Sequence, residues 1–188
     1  TAEEDAMGLV SYGMLVSLHG CIADADGQIT LPVPSAELHR YFNRRQQDVA
    51  LSVYGRRMWQ VMSYWGEVDP DRDEVGQEFA NAWMRTPKVV FSASLGEVPA
   101  GVSLIASDAV ARMERLKADT AGEIEVSGAR LAASLGAAGL VDEYRIFTQP
   151  VVLGGGTPFF AEGFRPTLRL VGSEILPDDV VLTRYVPR

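Results

Sequence analysis

Apolar runs and helix-period patterns alternate along most of this chain. Val10 to Ala23 is rich in alternating apolar positions and predicts a first strand. From Ser35 to Asp48 the period lengthens: Leu38 and Phe42, with Val49 just beyond, make one apolar stripe, and Ser35 is a residue type that caps helix starts. Ala50 to Tyr54 predicts a short buried strand. Arg56 to Trp65 predicts a helix with Trp59, Met62 and Trp65 on neighbouring turns, and Glu74 to Met84 another that turns Val75, Phe79 and Trp83 inward. Lys88 to Phe91 and Val102 to Ala106 read as strands, Asp108 to Ala118 as a helix, Glu123 to Val126 as a strand. Ala129 to Ala138 reads as a helix that Gly139 stops. The last third then changes character: Tyr144 to Leu153, Thr167 to Ile175 and Val180 to Val186 are strand patterns with no long helix between them. Strands separated by helices demand crossovers and a parallel sheet covered on both faces, and the strand-only ending adds an antiparallel edge. The expected class is α/β, three layers α/β/α, with a mainly parallel central sheet.

Composition narrows the functions open to this fold. With 188 residues, 47% hydrophobic and 22% charged, the chain fits one packed domain over 1–188. A net charge of −8 argues against a nucleic-acid partner, which needs a basic face. No apolar run is long enough to cross a bilayer, so no membrane partner is expected. Cys21 is the one cysteine, so no intramolecular disulfide forms and a reducing, cytoplasmic setting fits. Thr1 to Ala6 is small and acidic, lacks the basic start and apolar middle of a signal peptide, and reads as a disordered or tag-derived N-terminus.

Three glycine-bearing junctions carry the candidate chemistry. Gly55-Arg56-Arg57 and Gly128-Ala129-Arg130 each end an apolar strand and open a helical pattern. Such a junction presents unpaired backbone N–H groups and the positive end of a helix dipole, and so points to phosphate. Arg56, Arg57 and Arg130 add planar guanidinium donors suited to the same group. The alternative at each junction is a tight turn or close helix–sheet packing with solvated arginines. The third junction, Gly154-Gly155-Gly156-Thr157-Pro158, follows a β-branched run. It reads either as a bend that aims Phe159 and Phe160 into the core or a subunit interface, or as a ligand contact.

Five segments together carry a family resemblance: Val16-Ser17-Leu18-His19-Gly20 with Ile22-Ala23; Glu37 to Asn43; Tyr54-Gly55-Arg56-Arg57-Met58; Gly139 to Tyr144; and Pro150 to Phe160. They resemble the dihydrofolate reductase-like superfamily, and within it the stand-alone relatives of the reductase domain of bacterial riboflavin biosynthesis. The resemblance implies a sheet of about eight strands, NADPH across the strand C-termini, a small heteroaromatic substrate and a homodimer built on the C-terminal strands. It assigns cofactor contacts to Gly55, Arg56, Arg57, Ser92, Ser127, Gly128, Ala129 and Arg130. Ser127 stands where the superfamily has the first glycine of a pair, and Ser92 reads equally as a turn former. On the substrate side it points to His19, where riboflavin reductases commonly show Asp, and to Glu37, near the carboxylate that dihydrofolate reductases place on the first helix. His19 also reads as an ordinary hydrogen-bonded polar residue, and Glu37 as a complement to the helix start. Tyr54 and Trp65 are the candidate pocket walls. The implied function is NADPH-dependent reduction, with a non-catalytic nucleotide-binding dimer as the alternative.

Other chemistries lack their signatures. The chain shows no Gly-x-Ser-x-Gly elbow, no Walker-type phosphate loop, and no zinc-spaced His or Cys pairs. Asp24 and Asp26 around Gly27 read as a turn rather than a calcium loop.

Overall fold

The computed structural model describes residues 7–188; the expectation for Thr1 to Ala6 lies outside them. Strand β1 (Leu9–Val16) and strand β2 (Cys21–Ala23) divide what the alternation predicts as one strand. The break is chemical. Gly20 takes φ of +80°, and the Ser17 hydroxyl accepts the Cys21 N–H, so the chain turns out of the sheet. Then follow helix α1 (Ala36–Asp48), strand β3 (Val49–Gly55), helix α2 (Arg56–Met62) and helix α3 (Glu74–Arg85). The predicted helix to Trp65 finishes as a 3-10 turn, Ser63–Gly66. Strands β4 (Lys88–Phe91) and β5 (Val102–Ile105) precede helix α4 (Ala109–Asp119), strand β6 (Glu123–Ser127) and helix α5 (Ala129–Ala137). The chain closes with β7 (Glu143–Thr148), β8 (Thr157–Pro158), β9 (Leu168–Ile175) and β10 (Val181–Pro187).

Eight strands form one sheet in the order β5-β4-β3-β6-β1-β7-β10-β9. β5 through β7 run parallel, and β10 and β9 add the antiparallel edge. A second, two-stranded ribbon pairs β2 with β8. The periodicity does not announce it, because each strand is only two or three residues long. Helices α4 and α5 cover one face through Met113, Ala132 and Leu135, which pack on Val10, Val53, Ile124 and Val126. The other face carries α1, α2 and α3: Leu38 packs on Phe147 and Leu182, while Trp59, Phe79 and Trp83 surround Tyr54 and Val90.

A polar cluster occupies the end of the sheet where the parallel strands begin. The buried Arg145 guanidinium bridges Glu123 and Glu143, Arg45 reaches Glu123 at 3.1 Å, and the Ser11 hydroxyl donates to the same carboxylate at 2.7 Å. Burial opposes charge on Glu123, but Arg145, the Ser11 hydroxyl and Arg45 outweigh it and hold the carboxyl below its ordinary range. The opposite end of the sheet, where the parallel strands finish, is open.

Candidate functional site

Residues Tyr54 and Ser127 are register partners, so Gly55 and Gly128 leave the sheet side by side. The two glycines differ in kind. Gly128 sits at φ +125°, a region closed to side chains, and a Cβ there would lie 3.5 Å from the Gly55 backbone. Gly55 has an ordinary φ of −75°, and its missing Cβ would meet nothing closer than Leu131 Cβ at 3.7 Å. The fold therefore requires glycine at 128. At 55 it does not, since a Cβ there would make only ordinary van der Waals contacts, and the residue lines both cavities at this end of the sheet.

Helix capping separates this end from the rest of the molecule. Helix α1 is capped by the Ser35 hydroxyl, which accepts the Leu38 N–H at 3.2 Å, and α3 by the Asp73 carboxylate, which accepts the Gly76 N–H at 2.8 Å. Helices α2, α4 and α5 have no side-chain cap. All three start at the finishing ends of the parallel strands, and first-turn residues of each line two adjoining cavities of about 430 Å³ apiece. One is walled by Arg56, Phe91, Ser92, Ser107, Asp108 and Arg130. The other is walled by Ile22, Ala23, Ile29, Arg57, Met58 and Thr157, among others. Gly55, Arg56, Arg130 and Leu131 belong to both, so the two form one continuous groove. Each cavity has the size of an ordinary small-molecule pocket.

The arginines give the groove a local positive field within an acidic chain. Arg56 Nη1 donates to the Ser94 hydroxyl at 2.9 Å, which fixes its reach. Arg57 crosses toward the turn at Asp24 to Gln28, where Nη1 would lie 3.2 Å from a Cβ on Gly27. That turn is built by Asp24 Oδ1, which accepts the Asp26 and Gln28 N–H groups at 3.0 and 2.9 Å. Ser92 lines the groove and also shapes a turn, its hydroxyl accepting the Leu95 N–H at 3.0 Å. Gly128, Ala129 and Arg130 line the groove; Ser127 is half-buried just behind them.

The substrate-side expectations fare differently. Tyr54 does not form a pocket wall. It is 2% exposed in the core, tilted against Trp59, and its hydroxyl accepts the Trp83 Nε1–H at 2.7 Å. Burial drives its phenol well above the ordinary range. Trp65 also lies away from the groove. It packs on Phe79 and His39 with the Arg72 guanidinium over its ring, because the 3-10 turn swings it toward α3. His19 is exposed, with Nδ1 3.2 Å from the Ser17 hydroxyl, and Glu37 is exposed in the first turn of α1. Neither lines the two cavities.

The triple glycine resolves into two parts. A Cβ on Gly156 would fall 1.9 Å from the Ala23 carbonyl oxygen, so this glycine lets β8 lie against β2. Gly154 and Gly155 have no heavy atom within 4 Å of a Cβ and stand in the open. Beyond them Phe159 stacks on Tyr12 at 4.3 Å and Phe160 packs beside it, both directed inward. Ile22, Ala23 and Met58 stand in the segments that carry the resemblance, and Thr157 in the glycine stretch, but neither they nor Ser107-Asp108 at the start of α4 were singled out from the sequence as cavity walls. Ser-Asp ahead of a helical pattern looks like an ordinary cap, and wall residues from a two-residue strand carry no periodic signal.

The family model of the RibD C-terminal domain matches residues 9–182. The chain belongs to the RibD C-terminal domain family. The uncharacterized protein YyaP of Bacillus subtilis (strain 168) is 27% identical over 177 residues, covering 92% of this chain and 91% of YyaP. Acinetobacter baumannii RibD superposes with a TM-score of 0.71 at 15% identity, over 97% of this chain and 58% of that one. Dihydrofolate reductase from Enterococcus faecalis, solved with NADP(H), superposes with a TM-score of 0.66 at 13% identity, over 97% and 98% of the two chains. This RibD C-terminal domain relative thus has the dihydrofolate reductase-like fold: the eight-stranded, mostly parallel sheet with an antiparallel edge.

Proposed function

We propose that this protein is an NADPH-dependent reductase acting on a small heteroaromatic compound of pterin or pyrimidine type. One observation carries the reading: the three α-helices without side-chain caps among the described residues all start on a single groove that also gathers Arg56, Arg57 and Arg130. Free N–H groups and guanidinium forks are the donors a dinucleotide's phosphates require, and Gly55 leaves room for a close approach. Ile22, Ala23, Met58 and Val61 supply an apolar wall for a flat ring. The bound cofactor would supply hydride; the chain's part is to bind, orient and exclude water. The lone Cys21 suits a cytoplasmic enzyme, and exposed Leu170 and Ile175 on the edge strand β9 suit a homodimer. The net charge of −8 suits a small-molecule partner rather than nucleic acid.

A second reading, a nucleotide-binding protein without turnover, draws on the exposure of His19 and Glu37 outside both cavities. Thermal denaturation with NADPH, followed by oxidation assays against pterin and pyrimidine acceptors, separates the two. A ligand at a hundred times its Kd stabilises by about 2.7 kcal/mol, roughly 5–10 °C in a chain this long. Stabilisation with NADPH oxidation supports the reductase. Stabilisation without turnover on any acceptor supports the second reading, and no stabilisation refutes both. Arg56→Ala and Arg57→Ala should weaken NADPH more than NADH; equal losses refute a grip on the 2′-phosphate.

A further inference from the structure

Asp108 is the one acidic side chain lining the cavity that also holds Arg56 and Arg130. Its backbone is left-handed, φ +56° and ψ +41°. Among the described residues only Asp178 and Asp179, in the β9–β10 turn, share a positive φ without being glycine. Although Asp108 precedes the first residue of α4, its carboxylate accepts no N–H of that helix. It accepts instead the Ser107 hydroxyl at 3.1 Å. An aspartate in the usual extended cap geometry would satisfy an orphan N–H. Here the backbone is left-handed, a conformation aspartate tolerates better than most residues, the cap is forgone, and the residue lines the cavity instead. Among the described residues no ion pair joins Asp108 to Arg56 or Arg130. One cavity therefore presents an unpaired anion and two cations on separate walls.

Resting on the dinucleotide reading above, we propose that Asp108 is a specificity-determining residue that sets the balance between NADH and NADPH. The two cofactors differ at one ribose position, a hydroxyl or a phosphate. A carboxylate accepts a hydrogen bond from the hydroxyl and repels the phosphate, whereas Arg56 and Arg130 attract the phosphate. Asp108 thus offsets the arginines, and the protein discriminates between the cofactors less than the arginines alone would dictate. The left-handed backbone is what frees the carboxylate for this role.

The test is direct binding of NADPH and NADH to the wild-type protein, Asp108→Asn and Asp108→Ser, followed by ligand titration at low and high salt, with the melting temperature of each variant recorded. The expected result is a ratio of Kd for NADH to Kd for NADPH that rises about tenfold in both variants, with the gain shrinking at high salt. A ratio unchanged within twofold overturns the proposal, including the case in which only the melting temperature falls, since that is the signature of a carboxylate that merely complements the helix dipole. Wild-type protein that binds neither dinucleotide overturns the cofactor reading itself and this proposal with it. Wild-type protein that binds both, with an unaltered ratio in the variants, overturns only the role of Asp108.

Discussion

Replacing Gly55 and Gly128 by alanine, one at a time, should have opposite effects on stability although the two residues touch. At Gly128 the backbone lies at φ +125° and ψ +117°, where a side chain is strained whatever space surrounds it. The new Cβ would meet the Gly55 backbone at 3.5 Å, an ordinary contact, so the cost is conformational rather than steric. Holding a residue in such a region costs about 1–3 kcal/mol. At Gly55 the φ of −75° and ψ of 162° suit alanine, and the nearest atom to its Cβ is 3.7 Å away. Alanine there removes freedom from the unfolded chain and should stabilise by about 0.4–1 kcal/mol. Urea unfolding measures both. In thermal melts the first variant should fall by roughly 2–10 °C and the second rise by a degree or more. Dinucleotide affinity should show the reverse concern: Gly55→Ala, although folded and stable, places a methyl group in the groove and should weaken NADPH at least about tenfold, 1.4 kcal/mol. If Gly55→Ala destabilises, or if Gly128→Ala is neutral, the distinction between a glycine kept for the fold and one kept for the groove is wrong.

Two further outcomes test the core. Arg145→Met leaves the carboxylates of Glu123 and Glu143 without their shared cation and should cost about 3–5 kcal/mol in urea unfolding. Because the folded Glu123 carboxyl titrates below its ordinary value of 4.5, its contribution is complete above that pH and is lost as the pH falls through the lowered folded value; the wild-type protein should lose stability on that descent, and Glu123→Gln should flatten it. Tyr54→Phe leaves the Trp83 Nε1–H unpaired and should cost about 1–3 kcal/mol with no change in NADPH affinity; a change in affinity would put Tyr54 back at the groove.

The sheet, its edge and both glycine-bearing strand-to-helix junctions were legible because each depends on local signals. Continuous apolar runs such as Val89-Val90-Phe91 mark parallel strands, and Gly55-Arg56-Arg57 and Gly128-Ala129-Arg130 mark strand-to-helix turns. The substrate side was not, because it depends on where side chains point after distant elements pack. Tyr54 alternates along β3 into the face that α3 covers, and only the position of Trp83 decides that its hydroxyl is consumed in the core. Trp65 obeys the helical spacing of Trp59 until the helix tightens into a 3-10 turn and redirects it. The apolar wall comes from β2 and β8, which meet only because Gly156 admits the Ala23 carbonyl. No window of sequence contains both halves of that contact.

That ribbon ties the groove to the timing of folding. Its register joins Ala23 to Thr157, so one wall of the cavity closes a loop that spans most of the polypeptide. Contacts of such long range form slowly, since much of the chain must be ordered before they are rewarded. Refolding protein should therefore regain its intrinsic tryptophan signal, set by Trp59, Trp65 and Trp83 packed within a few elements of each other, before it regains the capacity to retain a ligand.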